Sequence, residues 1–309
     1  MKTSTATPRA DLYTRVTERV IADLEAGVRP WIKPWDARNT HGAGLPVRHN
    51  GLPYRGVNVL ILWGEALDKG YCSPIWMTFK QAVAVGAPIR KGEHGSMVVY
   101  ADRFTRIDTD ANGNEVEREI PFLKAYTVFN VAQIAGLPAQ YYATAERPAD
   151  KPELIEAAER FFGATGAVIR HGGDVAYYAP RPDVIQLPLP EAFRDAESYA
   201  ATKAHELTHW TSHPQRLARD FGAKRFGDTG YAREELVAEI GAAFLCAHLG
   251  IAAEPREDHA SYIAYWLHLL REDKRAIFAA AAHAQRAVDF LQALQPVDAD
   301  NTATADHAP

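Results

Sequence analysis

Cysteine is nearly absent from this chain. The 309 residues contain two, Cys72 and Cys246, far apart and in no CxxC pair. That leaves no disulfide framework, excludes thiolate metal sites and suits a reducing compartment. Long apolar runs are missing as well. The richest, NVLILW, spans six residues, whereas a membrane-spanning helix needs about 20. No apolar segment follows the charges of MKTSTATPRADLY, so no secretory signal is expected. Internal repeats are absent, as are zinc-finger and basic-zipper motifs that would read a DNA groove. The expectation is a soluble, cytoplasmic protein with no membrane partner.

What is present is unevenly spread. Residues 1–100 carry 13 Lys and Arg against 8 Asp and Glu, a surplus of five, while the remaining 209 carry 21 against 31, a deficit of ten. Four of the six tryptophans, Trp31, Trp35, Trp63 and Trp76, also fall in the first hundred residues. A basic, aromatic-rich front half joined to an acidic back half implies two different jobs.

The fold class expected is α+β. From Asp11, the positions Leu12, Val16, Val20, Ile21 and Leu24 keep a helical period. Residues 57–69 suit a short buried helix closed by Gly70, and Thr78 can cap FKQAVAV. SMVVYADRFTRI, the Asn-Gly turn of DANGNE and FLKAYTVFNVAQI read as strand, turn and strand. ATAERPADKPE, residues 143–153, is the best boundary. Beyond it, helices are expected over 152–163, 198–213 (Ser198 as N-cap, Pro214 as stop), 232–249, 258–271 and 274–294. VAYYAPRPDVIQLP reads as two short strands around Pro180 and Pro182. The domains are thus 10–142 and 152–295, with a disordered tail at 296–309 and a disordered lead at 1–9.

The chemistry concentrates in KAHELTHWT, residues 203–211. On a helix His205 and His209 face the same way, separated by a rise of about 6 Å. They can offer imidazole nitrogens to one ion at about 2.0–2.1 Å. Glu206 sits about 100° around the helix, out of position to ligate but able to take a proton from a water the ion holds. A third ligand is required. His213 lies about 12 Å along the axis from His205, too far for one ion. The acidic segment GDTGYAREELVAEIG supplies Asp228, Glu234, Glu235 and Glu239. Glu235 and Glu239 share one helical face. Glu235 is assigned as ligand and Glu239 as the carboxylate that orients a ligand histidine. The reverse assignment fits the same spacing.

These residues carry a resemblance. YRGVNVLIL, WMTFKQAVAVGAPIRKGEHGSMVVY and YTVFNVAQIAGLP in the front half resemble the ArdC family of plasmid-borne antirestriction proteins. So do YAATKAHELTHWTSHPQRLARDFG, YAREELVAEIGAAFL and ASYIAYWLHLLREDKRAIFAAAAHA in the back half. The resemblance implies an N-terminal α+β single-stranded-DNA-binding domain, related to domains of plasmid primases. It implies a mostly helical zincin-like metallopeptidase domain of gluzincin type behind it, with a small sheet. It also implies ligands His205, His209 and Glu235 for Zn2+ (Mn2+ or Co2+ also suit the set), with Glu206 as base. Tyr231, one turn before Glu235, could donate to a developing oxyanion or simply pack. The strands of VAYYAPRPDVIQLP resemble the zincin edge strand that pairs with an extended peptide.

The function implied is protection of incoming plasmid DNA from host restriction during conjugation. Two alternatives stay open. One is cleavage of a host protein, a restriction enzyme among the candidates. The other is a pure DNA-binding module with a structural metal. Single-strand binding needs cations for phosphates and aromatic faces for bases. Arg48, Tyr54, Arg55, Trp76, Lys80, Gln81, Arg90 and Lys91 supply both and are expected to form that surface, with little sequence specificity. Trp76 and Phe79 also fit as core residues.

Overall fold

The computed structural model describes residues 11–31, 44–109, 115–142, 151–222, 228–251 and 260–296. It is α+β, and its described residues form two compact units. The described residues up to 142, with 260–282, make the first; those of 151–251, with 283–296, make the second. No described helix is long and apolar enough to cross a membrane. The lead at 1–9, the Asn-Gly turn at 110–114 and the tail from 297 lie outside the described residues.

In the first unit, α1 (Leu12–Glu25) starts at Asp11, whose side chain accepts the Thr14 amide at 2.8 Å. Val16, Val20 and Leu24, four apart, are its buried stripe. Helix α2 (Val57–Lys69) buries Val59, Leu60, Leu62 and Trp63 and closes at Gly70 in the left-handed region, φ 67°. A four-stranded sheet runs β1–β2–β4–β3, from β1 (Val47–Arg48), β2 (Ile75–Thr78), β3 (Ser96–Thr109) and β4 (Glu115–Asn130). β3 and β4 pair antiparallel from Ser96↔Val128 to Thr109↔Glu115. Helix α3 (Phe79–Ala84) begins in a capping box. The Thr78 hydroxyl accepts from the Gln81 amide, and Gln81 Oε1 accepts from the Thr78 amide at 2.8 Å.

The last two helices divide between the units. Of the described residues in the expected span 152–295, most cluster with the second unit and 260–282 with the first. Their apolar stripe finds its partner far back in the chain. The Thr17 hydroxyl donates to the Lys274 carbonyl at 2.7 Å, the Tyr13 and Phe278 rings meet at 4.7 Å, and those of Trp31 and Trp266 at 5.3 Å. These residues lie in and around α7 (Ala260–Glu272) and α8 (Ala276–Ala293). A local periodicity shows that such a helix has an apolar face but not what covers it.

The second unit holds α4 (Lys151–Ala164), α5 (Ala196–Trp210), α6 (Thr229–Leu249) and a three-stranded sheet. Its order is β5–β7–β6, from β5 (Val168–His171), β6 (Tyr177–Ala179) and β7 (Val184–Leu187). β5 runs parallel to β7, and β6 is an antiparallel edge. The cap of α5 is Asp195, not Ser198: its carboxylate accepts the Ser198 amide at 2.7 Å. A charged acceptor in reach of that orphan amide outcompetes a hydroxyl already inside the first turn.

Two contacts place the elements that carry the HELTH motif. The Arg216 guanidinium lies 3.8 Å over the Trp210 ring and donates to the Trp210 carbonyl at 2.6 Å, to Asp183 at 3.0 Å and to the Tyr178 hydroxyl at 3.0 Å. It therefore ties the loop after α5 to the β6–β7 hairpin, where Asp183 holds a positive φ of 53°. The second contact is the crossing of α5 and α6. A Cβ on Gly241 would stand 2.5 Å from Thr208 Cγ2 and 2.9 Å from its Oγ1. Only a glycine allows this approach, and the approach brings Glu235 against the histidines.

Gly241→Ala is therefore expected to lower stability by roughly 1–3 kcal/mol through overpacking, despite alanine's better helix propensity. Thr208→Ala in the same chain should return most of the loss. Denaturant midpoints check this, and a Gly241→Ala protein more stable than wild type would mean that the helices do not pack so closely.

Candidate metal centre

HELTH lies wholly within α5, on a face turned inward. His205 and Glu206 are each 3% exposed, and Glu235, on α6, is 8% exposed. Each of His205, His209 and Glu235 offers a ligand atom within 4.8 Å of the other two. The two Nε2 atoms are 3.2 Å apart. Glu235 Oε2 lies 3.6 Å from His205 Nε2, and its Oε1 lies 3.5 Å from His209 Nε2. Three donors thus converge, two imidazole nitrogens and one carboxylate.

A second ring of carboxylates stands behind the imidazoles. His205 Nδ1 lies 3.2 Å from Glu239 Oε1. His209 Nδ1 donates to Glu234 Oε1 at 3.0 Å. Those partners occupy the outer nitrogens and leave both Nε2 lone pairs for the centre. Arg219 completes the set. Its guanidinium grips Glu234 through Nε and Nη2, both at 2.7 Å, and also donates to the Thr208 carbonyl and the Thr211 hydroxyl.

The electrostatics show what the pocket is built to hold. Burial opposes a proton on either ring. Around His205 the carboxylates of Glu235 and Glu239 outweigh burial and raise its pKa. Around His209, Glu235 and Glu234 push the ring up to about 10. Burial pushes the Glu235 carboxyl up, but the two imidazoles hold it well below the usual carboxylate range. Glu234 is likewise held low, against burial, by Arg219 and His209. A pocket that so favours positive charge on two nitrogens fits a cation bound between them, and the donor set fits a divalent ion with positions left open.

Of the residues expected from sequence, His205, His209, Glu206, Glu235 and Glu239 are brought together here. Tyr231 is half-buried in the first turn of α6, its amide donating to Asp228 at 2.8 Å. The Glu234–Arg219 pair was missed. Glu234 appears in the sequence only as one acidic candidate among four, and Arg219 belongs to a loop with no local signal.

The residues expected to bind DNA fare differently. Trp76 is a correction: it is 0% exposed, in the central strand β2 paired with Asn130, and has no face to offer a base. Packing on both sides of that strand overrides its recognition value. Phe79, by contrast, is 58% exposed. Arg55, Lys80, Arg90 and Lys91 are exposed, the last two in a turn before Gly92. Arg48, Tyr54 and Gln81 come together in a cleft of about 380 Å³, with Thr78, Tyr100, Lys124, Ala125 and Tyr126. Tyr100, Lys124 and Tyr126 were missed. They enter through the register of β3 and β4, where Val98 faces Tyr126 and Tyr100 faces Lys124.

Comparison with known proteins gives matches over both units. The N-terminal domain of anti-restriction factor ArdC matches residues 10–129, and a zincin-like metallopeptidase family matches 156–283. A protein of Sinorhizobium fredii (strain NBRC 101917 / NGR234), y4eC, itself uncharacterized, is 42% identical over 95% of this chain and 96% of its own. An Escherichia coli DNA primase TraC is 41% identical over 92% of this chain, which spans only 27% of that primase. The crystal structure of the antirestriction ArdC protein from the R388 plasmid, metal-free, is 46% identical, with a TM-score of 0.77 over 92% of this chain and 98% of that one. Its Mn(II)-bound form is 44% identical, with a TM-score of 0.74 over the same shares.

Proposed function

The chain belongs to the ArdC antirestriction family and carries its zincin-like domain, and from that premise we propose a metal-dependent peptidase joined to a single-stranded-DNA-binding module. The observation that carries the peptidase half is the convergence of His205, His209 and Glu235 within 4.8 Å, with Glu206 buried beside them. A divalent cation held there would polarise a peptide carbonyl and acidify a water. Zinc suits two imidazoles and a carboxylate, and the Mn(II)-bound relative makes manganese a candidate of equal standing. Glu206 takes the proton from the attacking water and passes it to the leaving amine. Glu234 and Glu239 hold the imidazoles in place. Tyr231 donates to the developing oxyanion. The edge of β6 offers unpaired backbone groups to an extended substrate.

The DNA half follows from the cationic, aromatic cleft of the first unit. Cations and aromatic rings grip a single strand without reading its sequence. Placed on incoming plasmid DNA in the cytoplasm, the protein shields it from host restriction, and the peptidase acts on a host protein, a restriction enzyme being one candidate.

Metal content and single-strand binding, measured together on wild type and His205→Ala, test both halves. Wild type should hold about one metal per chain and the variant none, with equal affinity for DNA. A wild type that stays metal-free after metal-replete purification removes the peptidase reading. A wild type that ignores single strands removes the DNA reading.

A further inference from the structure

Two clefts lined by described residues of the first unit are of similar size, and their charges differ. One, of about 420 Å³ between α1, α2 and the start of β3, is neutralised from within. Its Arg19 meets Asp23, Glu65 and Asp68, and its Lys69 meets Glu65 at 2.6 Å. The other is the cleft of Arg48 and Lys124, which no carboxylate lines among the described residues, although the Tyr100 hydroxyl at its edge donates to Asp102. Among the described residues neither cation has an ion-pair partner. Instead each lies near an aromatic ring, Arg48 at 5.6 Å from the centroid of Tyr54 and Lys124 at 4.7 Å from that of Phe122. Cations placed on apolar rings and left without counter-charge are poised for an anion brought from outside.

We infer that this cleft is a subsite for one nucleotide of a single strand, its base between Tyr100 and Tyr126, with the buried Tyr54 as floor, and its phosphate on Arg48 and Lys124. The inference rests on the single-strand reading proposed above and fixes where that reading acts. Three observations support it. A volume of about 380 Å³ lies near the lower end of the roughly 300–1,000 Å³ that small ligands occupy, enough for one nucleotide. The walls pair aromatic faces with donors. Tyr54 lines the cleft while 3% exposed, so its ring forms part of a fixed wall. Gln81 spends its carbonyl oxygen on the Thr78 amide, and its amide nitrogen has no protein partner among the described residues. Third, Tyr100 is 49% exposed, so one ring at the cleft is open to stacking as folded.

The test is fluorescence anisotropy with a roughly twelve-nucleotide oligothymidylate, across a salt series, on the full chain. Lys124→Ala should weaken binding and flatten the slope of log affinity against log salt by about 0.7, one phosphate contact on a single strand. Tyr100→Ala should weaken binding roughly 5- to 150-fold, the fold-change equivalent to the loss of one stacked base, and leave the slope unchanged. Against an abasic oligonucleotide Tyr100→Ala should equal wild type. Both side chains are exposed, and unchanged melting confirms that the variants fold. If wild type binds the strand while both variants keep its affinity and slope, the subsite is elsewhere and the single-strand reading survives. If wild type binds no single strand, both fall.

Discussion

Glu206→Gln is expected to keep the metal and to lose peptide-bond hydrolysis by about 10²- to 10⁴-fold. The retention follows from geometry. The converging donors are His205, His209 and Glu235, and Glu206 is not among them. It sits on the same helix, one residue past His205, 3% exposed, in a position that a structural ion would not use. Glutamine keeps its volume and its hydrogen-bonding oxygen but cannot accept a proton, so packing is spared and only the base is removed. Metal-replete wild type and variant, incubated with an unfolded polypeptide and compared by mass spectrometry of the fragments, give the rates. Metal content of the same samples gives the control. A variant that cleaves at the wild-type rate shows that Glu206 is not the base. A variant that loses its metal shows that the donor set has been misread, since Glu206 would then hold the ion directly. Tyr231→Phe is a milder companion, because removing one donor to an oxyanion costs rate while the base remains.

Much of the candidate metal centre was legible because its signal is local. His205 and His209 are one helical turn apart, and the face they share is fixed by the helix period alone. Glu235 and Glu239 repeat that spacing, so two short words placed four carboxylate and imidazole groups on two faces. Meeting of those faces was not written in either word. It depends on Gly241 against Thr208, a close approach that appears in the sequence only as one glycine within a helix. Arg219 was illegible for a similar reason. Its neighbours in sequence say loop, and its value comes from Glu234, fifteen residues away in sequence. The first unit shows the opposite failure. Trp76 has the right residue type for stacking, but its strand is covered on both sides. Tyr100 and Tyr126 looked like ordinary strand residues, and only the register of the β3–β4 hairpin sets them beside one cleft. Strands β1, β2 and β5 escaped notice because runs of two to four residues carry too few alternations to count.

Arg219→Ala is expected to cost about 3–5 kcal/mol of stability. The guanidinium side chain is 1% exposed and both its faces are in use, two contacts to Glu234 and two to the end of α5. Glu234 is itself mostly buried, with 20% of its side chain exposed. Truncating the arginine leaves that carboxylate in a poor dielectric with only His209 to answer it. Its charge then competes with the ion for His209, so metal affinity should fall roughly 10- to 100-fold as well. The two losses separate by experiment. Metal bound to the folded state raises apparent stability on its own. Unfolding must therefore be followed in chelator for the first effect and by metal titration for the second. Removing both charges with Arg219→Met and Glu234→Gln should restore most of the stability in chelator, because no orphan charge remains. It should not restore metal affinity, because a neutral side-chain amide cannot orient His209 as the Glu234 carboxylate does. If the double variant is as unstable as the single one, the loss comes from the contacts of Arg219 with Thr208 and Thr211, and the pair serves packing. If Arg219→Ala melts like wild type, water already reaches the pair, and the ring of charge behind His209 is not what fixes it.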